Sequence, residues 1–366
     1  MKIGTLTFHA AHNYGAMLQA YALVTFLRNY GHQAEVINFL PYIHNNYERF
    51  PYMYMMYRSR GDHPVYALLR SIKHYKRYKK KTPLWHSFET FLIDYIPKSK
   101  RIFYTKDIKG LKYDAIVCGS DQIWNPALTD GYKDCFFGKG MPESIKKISY
   151  AGSNGNGMVS CEDETIFLNL ISNFDAISVR EAGLQHYLIT HGIEAKTVLD
   201  PVFLLKKEDW FNIAIDCEHE NYVFTYSFWE PEHFFETAYE ISKQLHLKLI
   251  CMRYEKTDMP SEDIIQICDK GPREFLGYIK NASFVVTNSF HGTAFSIIME
   301  KQFFNIPPIK TRERTDSIMR MAGLTDHVIN TNDKYNISNK IDYEVVNKRM
   351  EVHKRHSIEF LLKSLE

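Results

Sequence analysis

The residues best suited to chemistry lie where an apolar segment of the chain runs into a helical pattern, between Phe284 and Glu300. The apolar run ends at Thr287 and is followed by Asn-Ser-Phe-His-Gly-Thr. A parallel strand that ends at Thr287 and feeds a helix starting near His291 directs backbone N–H groups and the positive end of the helix dipole beyond the sheet edge. The pattern therefore predicts an anion-binding site at this edge.

Four residues of this turn make up the predicted anion-binding site. His291 can titrate near neutral pH, Gly292 allows a ligand to approach the backbone, and Ser289 and Thr293 offer hydroxyl groups. Inert strand-to-helix turns with a capping serine and a partly buried histidine have the same residues. Both interpretations are open at the level of sequence.

Composition limits the class of protein and its partners. The chain has 366 residues, of which 45% are hydrophobic and 24% are charged, and this is typical of a globular protein with two domains. A net charge of +2 argues against a dedicated nucleic-acid-binding protein. The N-terminus reads as a strand and not as a signal peptide, and no apolar run approaches the roughly 18 residues that span a bilayer. We therefore expect a cytoplasmic protein.

Cysteine and histidine spacing gives no indication of a metal. The 6 cysteines are scattered without C-x-x-C pairing, and the 16 histidines show no H-E-x-x-H motif. We expect reduced thiols and no metal site.

Apolar segments alternate with helical patterns along the chain, which is typical of parallel sheets with helical crossovers. The first forty residues read as a strand at 2–8, a helix at 14–30 and a strand at 34–39. Further strands are predicted at 114–118, 147–151, 176–179, 222–227, 248–252 and 283–287. The pattern predicts an α/β protein.

Two Rossmann-like domains are predicted, at residues 1–205 and 206–330, because the apolar run ending at Leu205 gives way to charged residues. Their sheets are expected to face each other across a central cleft. A helical tail is predicted at 331–366. An insertion at about 41–105 breaks the pattern with many tyrosines and a run of Lys and Arg, which suits an anionic membrane surface or equally a solvated helix face.

Four segments at predicted strand ends together resemble the polysaccharide pyruvyl transferase family: Asn13–Leu23, Tyr113–Pro126, Ile177–Glu181 and Asn288–Gly292. The resemblance extends from the N-terminus to about Pro307. It implies a fold similar to the GT-B glycosyltransferases. It also implies transfer of the pyruvyl group of phosphoenolpyruvate to two hydroxyls of a saccharide, giving a cyclic ketal in cell-surface polysaccharide biosynthesis. Phosphoenolpyruvate is then a substrate and no cofactor is expected. The acceptor is either free or attached to a polyprenyl diphosphate at the inner face of the cytoplasmic membrane.

The resemblance also assigns catalytic roles and roles in binding the donor, phosphoenolpyruvate. Ser289, Gly292 and Thr293 of the predicted anion-binding site are then donor-binding residues. Arg180 matches the family's anion-binding arginine, and its planar guanidinium suits a carboxylate or phosphate, although a salt bridge with Glu181 is the alternative. His291 either holds the phosphate as imidazolium or delivers the proton. Asp121 either accepts the proton of a sugar hydroxyl or caps the next turn.

On the acceptor side, the resemblance implies that Asn13, Tyr14, Gln122 and Trp124 contact the saccharide. Trp124 would offer a stacking face, and a position in the core is the alternative for this residue.

One position departs from the family pattern. Some relatives have arginine two residues before the motif histidine, where this chain has Ser289. Arg273, Arg312 or Arg314 is expected to supply the missing cation.

Two alternatives to a pyruvyl transferase are open. They are a GT-B-type glycosyltransferase that uses a nucleotide sugar and a non-catalytic saccharide-binding protein. No ribose-binding acidic residue stands out after the motif, which counts against the first of these.

Overall fold

The structure, a computed structural model, describes residues 1–40, 52–59, 61–80, 82–102, 104–227, 233–308, 312–330 and 335–366. The chain divides into two units. Unit 1 contains Met1–Pro201 together with Glu359–Glu366, and unit 2 contains Val202–Ile358. Residues 331–366, expected as a separate tail, are shared by the two units where they are described. Parts of the predicted insertion, including residues 41–51, lie outside the described residues.

Unit 1 is built on a six-stranded sheet in which every pair of neighbours is parallel. Its strands are β1 (Lys2–Leu6), β2 (Gln33–Val36), β3 (Ala115–Cys118), β4 (Lys146–Gly152), β5 (Ala176–Val179) and β6 (Lys196–Thr197). In the sheet order β2-β1-β3-β4-β5-β6, β2 lies on one side of β1, and β3 and the later strands lie on the other side. The sheet therefore has a topological switch point between β1 and β3. In open α/β sheets, ligands bind in the crevice beyond the carboxyl ends of the strands at this kind of switch point.

The helices of unit 1 fill the connections between these strands. They are α1 (Tyr14–Asn29), α2 (Tyr52–Ser59), α3 (Pro64–Lys80), α4 (Thr82–Asp94), α5 (Pro126–Thr129), α6 (Glu164–Ile171) and α7 (Ala182–Thr190). Short 3-10 helices lie at Thr105–Leu111 and Asp134–Phe137. Helices α2, α3 and α4 belong to the segment predicted as an insertion.

Local sequence explains where α1 begins and ends. The side chain of Asn13 accepts a hydrogen bond of 3.0 Å from the backbone N–H of Ala16, which caps the first turn. Gly31 has a φ of +83° and ends the helix, since glycine adopts the left-handed region without a steric penalty.

Strand residues such as Ile3, Ile116 and Ile148 are fully buried because helices cover the parallel sheet.

Unit 2 contains a second parallel sheet, with five strands in the order β11-β10-β7-β8-β9. The strands are β7 (Tyr222–Tyr226), β8 (Lys248–Met252), β9 (Ile265–Ile267), β10 (Phe284–Thr287) and β11 (Phe303–Asn305). The helices are α8 (Lys207–Ile213), α9 (Phe234–Gln244), α10 (Pro272–Asn281), α11 (Phe290–Ile298), α12 (Glu313–Ala322) and α13 (Tyr343–Leu365), with 3-10 helices at Pro201–Phe203 and Thr325–His327. The switch point of this sheet lies between β7 and β10. The two parallel sheets confirm the predicted α/β fold.

Candidate functional site

A connected polar network lies at the carboxyl edge of the unit 1 sheet, at the switch point between β1 and β3. The hydroxyl of Thr7 donates to the backbone oxygen of Ser120 over 2.8 Å. Gln19, on α1, donates through Nε2 to Thr7 Oγ1 over 2.8 Å and accepts through Oε1 from the backbone N–H of Ser120 over 3.1 Å. All three side chains are buried. The network therefore fixes the loop after β3 against α1.

This loop after β3 has an unusual backbone. Gly119 has a φ of +116°, and a Cβ there would overlap the backbone oxygen of Tyr150, so only glycine fits. Asp121 has a φ of +72°, which is uncommon for a residue with a side chain and is frequent at functional sites. Its Oδ1 accepts a hydrogen bond of 2.8 Å from the backbone N–H of Gln122, and its side chain is half-buried. The predicted catalytic carboxylate thus lies at the sheet edge, partly accessible and held in place.

A buried ion-pair network joins the ends of the next strands. The Arg180 guanidinium lies 3.0 Å from Asp200 Oδ2 and 3.6 Å from Glu181 Oε1. Ser120 donates through Oγ to Asp200 over 2.8 Å, and Ser153 donates to Glu181. The side chains of the three ionic residues are at most 2% exposed. The network therefore ties together the loops that follow β3, β4, β5 and β6.

Electrostatics keep this arginine charged. Burial acts to lower the pKa of Arg180, but the carboxylates of Glu181, Asp200 and Asp121 together raise it. The structure thus brings two predicted site residues, Asp121 and Arg180, within electrostatic reach of each other.

Binding of the donor by the Arg180 guanidinium stays a prediction. The predicted alternative, a salt bridge with Glu181, is present, and Asp200 adds a second carboxylate. A guanidinium buried between two carboxylates anchors the strand-end loops. Sequence did not reveal this role because Asp200 lies twenty positions away and reaches Arg180 only through the sheet topology.

The predicted acceptor residues differ in accessibility. Asn13 and Gln122 are half-buried; the first caps α1, and the second accepts a hydrogen bond of 3.0 Å from Asn125. Tyr14 is fully buried, with its ring centre 4.9 Å from that of Phe88 on α4. The burial of Tyr14 does not favour a direct contact with a saccharide. Contacts of Asn13 and Gln122 with the saccharide stay predictions.

Trp124 is a core residue, which is the alternative that the sequence left open for it. Its side chain has no exposed surface, and its Nε1 donates to the backbone oxygen of Phe136 over 2.9 Å. Its ring centre lies 5.6 Å from that of Phe137. A Cβ at Gly152 would overlap the indole ring, which shows how closely Trp124 packs on the end of β4.

A histidine–carboxylate pair that the sequence analysis missed lies next to the first motif. His12 Nε2 is 3.0 Å from Glu89 Oε1 of α4, and the His12 ring centre is 4.1 Å from the Trp85 ring centre. A carboxylate that orients a histidine is a common arrangement for proton transfer. The two residues are 77 positions apart and no spacing rule connects them.

His9, on the same loop, is fully buried and has hydrogen-bonding partners at both ring nitrogens. Nδ1 lies 3.2 Å from the backbone oxygen of Thr7, and Nε2 lies 3.1 Å from Asn38 Oδ1. Burial lowers the pKa of His9, and the hydrogen bonds to Asn38 and Thr7 offset only part of this effect. His9 is thus a neutral structural residue of the loop.

In unit 2, side chains join the ends of β7 and β10 at the second switch point. Thr287 donates through Oγ1 to the backbone oxygen of Tyr226 over 2.7 Å and accepts from the backbone N–H of Ser289 over 3.1 Å. Asn288 donates through Nδ2 to Ser227 Oγ over 2.9 Å. These bonds fix the turn that carries the predicted donor residues.

The first turn of α11 shows which of those residues have structural roles. Ser289 caps the helix, with Oγ accepting from the backbone N–H of Gly292 over 3.3 Å. Thr293 is fully buried; its hydroxyl donates to the Ser289 backbone oxygen over 3.0 Å and accepts from Asn305 over 2.7 Å. A Cβ at Gly292 would overlap Thr287 Oγ1. Thr293 and Gly292 thus have packing roles in this turn, and their roles toward a ligand stay predictions.

His291 is the second residue of α11 and lies at the positive end of the helix dipole. It is 7% exposed, and its ring meets that of Phe290 edge to face, with the ring centres 5.0 Å apart. Among the predicted donor residues of this turn, His291 and the half-buried Ser289 retain some exposed surface.

The whole set of motif positions agrees with a family match, since residues 13–308 match the family described as polysaccharide pyruvyl transferase. The chain belongs to the polysaccharide pyruvyl transferase family. Membership implies a transferase, and the matched range includes the loops after β3 and β5 and the first turn of α11. No curated protein matches the chain by sequence.

Solved structures similar to this pyruvyl transferase family member confirm a GT-B-like fold. One is UDP-N-acetylglucosamine 2-epimerase from Rickettsia bellii, with 10% identity, a TM-score of 0.52 and coverage of 100% of this chain and 97% of that chain. Another is UDP-GlcNAc 2-epimerase from Neisseria meningitidis bound to UDP-GlcNAc, with 8% identity, a TM-score of 0.51 and coverage of 99% and 100%. At such identities the likeness concerns the fold alone.

In this family member, arginines follow two strands of the unit 2 sheet, β8 and β11. Arg253 directly follows β8, and Arg314 lies in the first turn of α12, which comes after β11, the neighbour of β10. Arg312, also at the start of α12, pairs with Asp316 over 2.7 Å, and Arg273 donates to a backbone oxygen of α8 over 2.8 Å. Because carboxyl ends of parallel strands share one edge, Arg253 and Arg314 lie on the side of the sheet where α11 begins.

No helix in the described ranges is long and apolar enough to cross a membrane. Within the same ranges, no group of three or more His, Cys, Asp or Glu side chains is arranged to hold a metal ion.

Proposed function

We propose that this transferase moves the pyruvyl group of phosphoenolpyruvate onto two hydroxyls of a saccharide and forms a cyclic ketal. The observation that carries the proposal is the family match over residues 13–308, which includes His291 at the N-terminus of α11. The acceptor belongs to cell-surface polysaccharide biosynthesis, such as that of a capsule or exopolysaccharide, and is free or polyprenyl-linked.

The chemistry defines what the protein must supply. In the first step the methylene carbon C3 of phosphoenolpyruvate takes a proton while a sugar hydroxyl attacks C2 and loses its own proton. The bond between C2 and the phosphate oxygen then breaks, phosphate leaves with the electron pair, and the second hydroxyl attacks C2. Of the two hydroxyl protons, one balances the new methyl group and the other leaves with phosphate. The reaction therefore needs an acid, a base and a cationic or dipolar group at the phosphate.

We assign the donor side of this reaction to the first turn of α11. Phosphoenolpyruvate is an anion, and the N-terminus of a helix favours anions through its N–H groups and its dipole. His291 acts on the donor, either as the proton source for C3 or as imidazolium beside the phosphate. Arg314 is the proposed replacement for the arginine that is absent at Ser289, because it lies in the first turn of α12, which follows β11, the neighbour of β10.

On the acceptor side, Asp121 is the proposed base for a sugar hydroxyl. Its carboxylate is half-buried at the switch point of the unit 1 sheet and its backbone is held in the left-handed region, which fixes the direction of the side chain. Arg180 is proposed to position this loop through Asp200 and Ser120. Asn13 and Gln122 are the proposed hydrogen-bonding partners of the saccharide.

An activity assay with matched controls tests these roles. The protein is incubated with phosphoenolpyruvate and a panel of saccharides, and phosphate release and the ketal are measured, the latter by NMR. His291→Asn and Asp121→Asn should each lower kcat by about 10² to 10⁴. His246→Asn and Asp130→Asn are the controls, since both residues are exposed and, like Asp121, have a positive φ. Unchanged turnover in either site variant would remove that residue from the mechanism.

A binding experiment distinguishes the donor. A ligand at about a hundred times its dissociation constant adds roughly 2.7 kcal/mol to the free energy of unfolding. For a unit of this size, that corresponds to about 5–10 °C in Tm. Stabilisation by phosphoenolpyruvate supports the proposal. Stabilisation by a UDP-sugar without any effect of phosphoenolpyruvate would favour a glycosyltransferase instead.

A further inference from the structure

Helix α3 has an apolar stripe that is exposed to solvent. Val65, Leu68, Leu69 and Ile72 are 56%, 44%, 57% and 40% exposed. Their spacing of i, i+3, i+4 and i+7 places them on one face of the helix, and we call this set the α3 stripe. Four large aliphatic side chains grouped on one helix face differ from the single exposed apolar residues that any protein surface carries.

The opposite side of α3 is the side that packs against the protein. Ala67 is fully buried in a cluster with Met53 and Tyr57 of α2. Ser71, one turn further along, is also fully buried, and its hydroxyl donates to the backbone oxygen of Ala67 over 2.6 Å. Because Ala67 and Ser71 define the inward face, the α3 stripe points outward.

Two further contacts hold α3 in this orientation. The Arg70 guanidinium lies 2.7 Å from Asp62 Oδ2, and its central carbon lies 5.0 Å from the centre of the Tyr57 ring. These contacts lie at the junction between α2 and α3. The stripe is therefore a face of a packed helical hairpin and not of a helix without tertiary contacts.

Charge identifies the kind of partner. The sequence of α3 contains no Asp or Glu and six basic residues: Arg70, Lys73, Lys76, Arg77, Lys79 and Lys80. A helix that combines aliphatic residues on one face with many basic residues and no acidic ones is typical of helices that lie in the interface of an anionic bilayer. A second copy of this chain would bring two α3 helices of the same charge together, which is unfavourable.

We propose that the α3 stripe is a membrane-binding face that seats unit 1 on a bilayer containing anionic lipids, with α3 in the plane of the headgroups. The aliphatic side chains would enter the boundary between headgroups and acyl chains, and the net positive charge of α3 would attract anionic lipids. The inference is independent of the donor chemistry, because membrane binding is measured without substrate. It adds a reason to test lipid-linked saccharides as acceptors.

Vesicle co-sedimentation tests this inference with the full chain. We expect binding to vesicles of phosphatidylglycerol and phosphatidylcholine, and much weaker binding to phosphatidylcholine alone. Leu69→Ser combined with Ile72→Ser should lower the partition coefficient roughly tenfold or more, since two aliphatic side chains no longer enter the bilayer. Added salt should weaken the remaining binding by screening the basic residues.

A matched double variant provides the control. Ile166 on α6 and Ile189 on α7 are each 53% exposed. Ile166→Ser combined with Ile189→Ser should bind anionic vesicles like the unchanged protein. Circular dichroism confirms that both double variants are folded.

Three results would overturn the inference. They are absence of binding to anionic vesicles, equal losses in the stripe variant and the control variant, and equal binding to both vesicle types. Sedimentation velocity tests the competing interpretation, in which the α3 stripe is a dimer interface. A dimer that the stripe variant abolishes, together with absence of vesicle binding, would identify the stripe as an interface between copies of this chain.

Discussion

Replacement of Arg180 by methionine tests whether the buried ion-pair network holds the strand-end loops of unit 1. The guanidinium lies 3.0 Å from Asp200 and 3.6 Å from Glu181, and all three side chains are at most 2% exposed. Methionine has a similar length and no charge. The variant therefore leaves two buried carboxylates without their cation while it changes the volume little.

The expected cost follows from the burial of these groups. Removing one partner of a buried ion pair costs about 3–5 kcal/mol, because the remaining charge is left in a medium that solvates it poorly. For a domain of about 200 residues, each kcal/mol lowers Tm by roughly 2–4 °C. The Arg180→Met variant should thus unfold about 6–20 °C lower than the unchanged protein.

The assay is urea denaturation followed by far-UV circular dichroism, with thermal unfolding as a second measurement. The control is Arg320→Met, because Arg320 makes an ion pair of 3.0 Å with Glu313 in which both partners are substantially exposed. An exposed pair contributes about 0–1 kcal/mol, so the control should lose little stability.

A combined variant separates charge from packing. Arg180→Met with Asp200→Asn and Glu181→Gln removes the uncompensated charges, and it should be more stable than Arg180→Met alone. A loss of less than about 1 kcal/mol in Arg180→Met, or a triple variant no more stable than the single one, would refute the reasoning. If Arg180 instead bound the donor directly, its replacement would raise KM for phosphoenolpyruvate with little change in stability.

Three further predictions concern residues that follow strands in the two units. Gly292→Ala should lower the free energy of unfolding by about 1–3 kcal/mol, because its Cβ would overlap Thr287 Oγ1, and adding Thr287→Ala should restore part of the loss in urea denaturation. Gly119→Ala should cost more, since it combines an overlap with the rigid backbone at Tyr150 and a φ of +116°, and thermal unfolding measures the difference. Since burial lowers the pKa of His9 below 6.5, the unfolded chain takes up a proton first as pH falls. The free energy of unfolding should therefore decrease below pH 6.5, by at most about 1.4 kcal/mol per pH unit from this group, and less steeply in His9→Asn.

Gly110→Ala is the control for the glycine variants, because a Cβ at Gly110 meets nothing within 4 Å. Equal stability of Gly292→Ala and Gly110→Ala would contradict the packing argument for α11. If Gly119→Ala were as stable as the unchanged protein, the close contact inferred between Gly119 and the backbone of Tyr150 would be refuted. An identical pH dependence with and without His9 would exclude this residue as a source of acid sensitivity.

The fold was largely predictable because long buried strands leave a continuous apolar signal. The strands predicted near the structure's β1, β5 and β8 are present, as are the others predicted from the same pattern. The missed strands are β6, β9 and β11, which have two or three residues. Strands this short leave no periodicity to detect, and the sheet's neighbouring strands determine them.

The positions of the candidate residues at strand ends were predictable from the sequence, whereas their contacts were not. Asp121, Arg180 and His291 all lie directly after strands or in the first turn of the following helix, as the motifs suggested. What sequence could not give is the partner of each side chain. Asp200 reaches Arg180 and Asn305 reaches Thr293 only through strand order, so residues expected to bind ligands are engaged inside the protein.

The composition of unit 1 has a consequence for how the protein is made. Residues Glu359–Glu366 belong to this unit, although all of unit 2 separates them from its other residues. Leu361 and Leu365, in this last segment, are buried. Unit 1 can therefore be completed only after the whole of unit 2 has been synthesised.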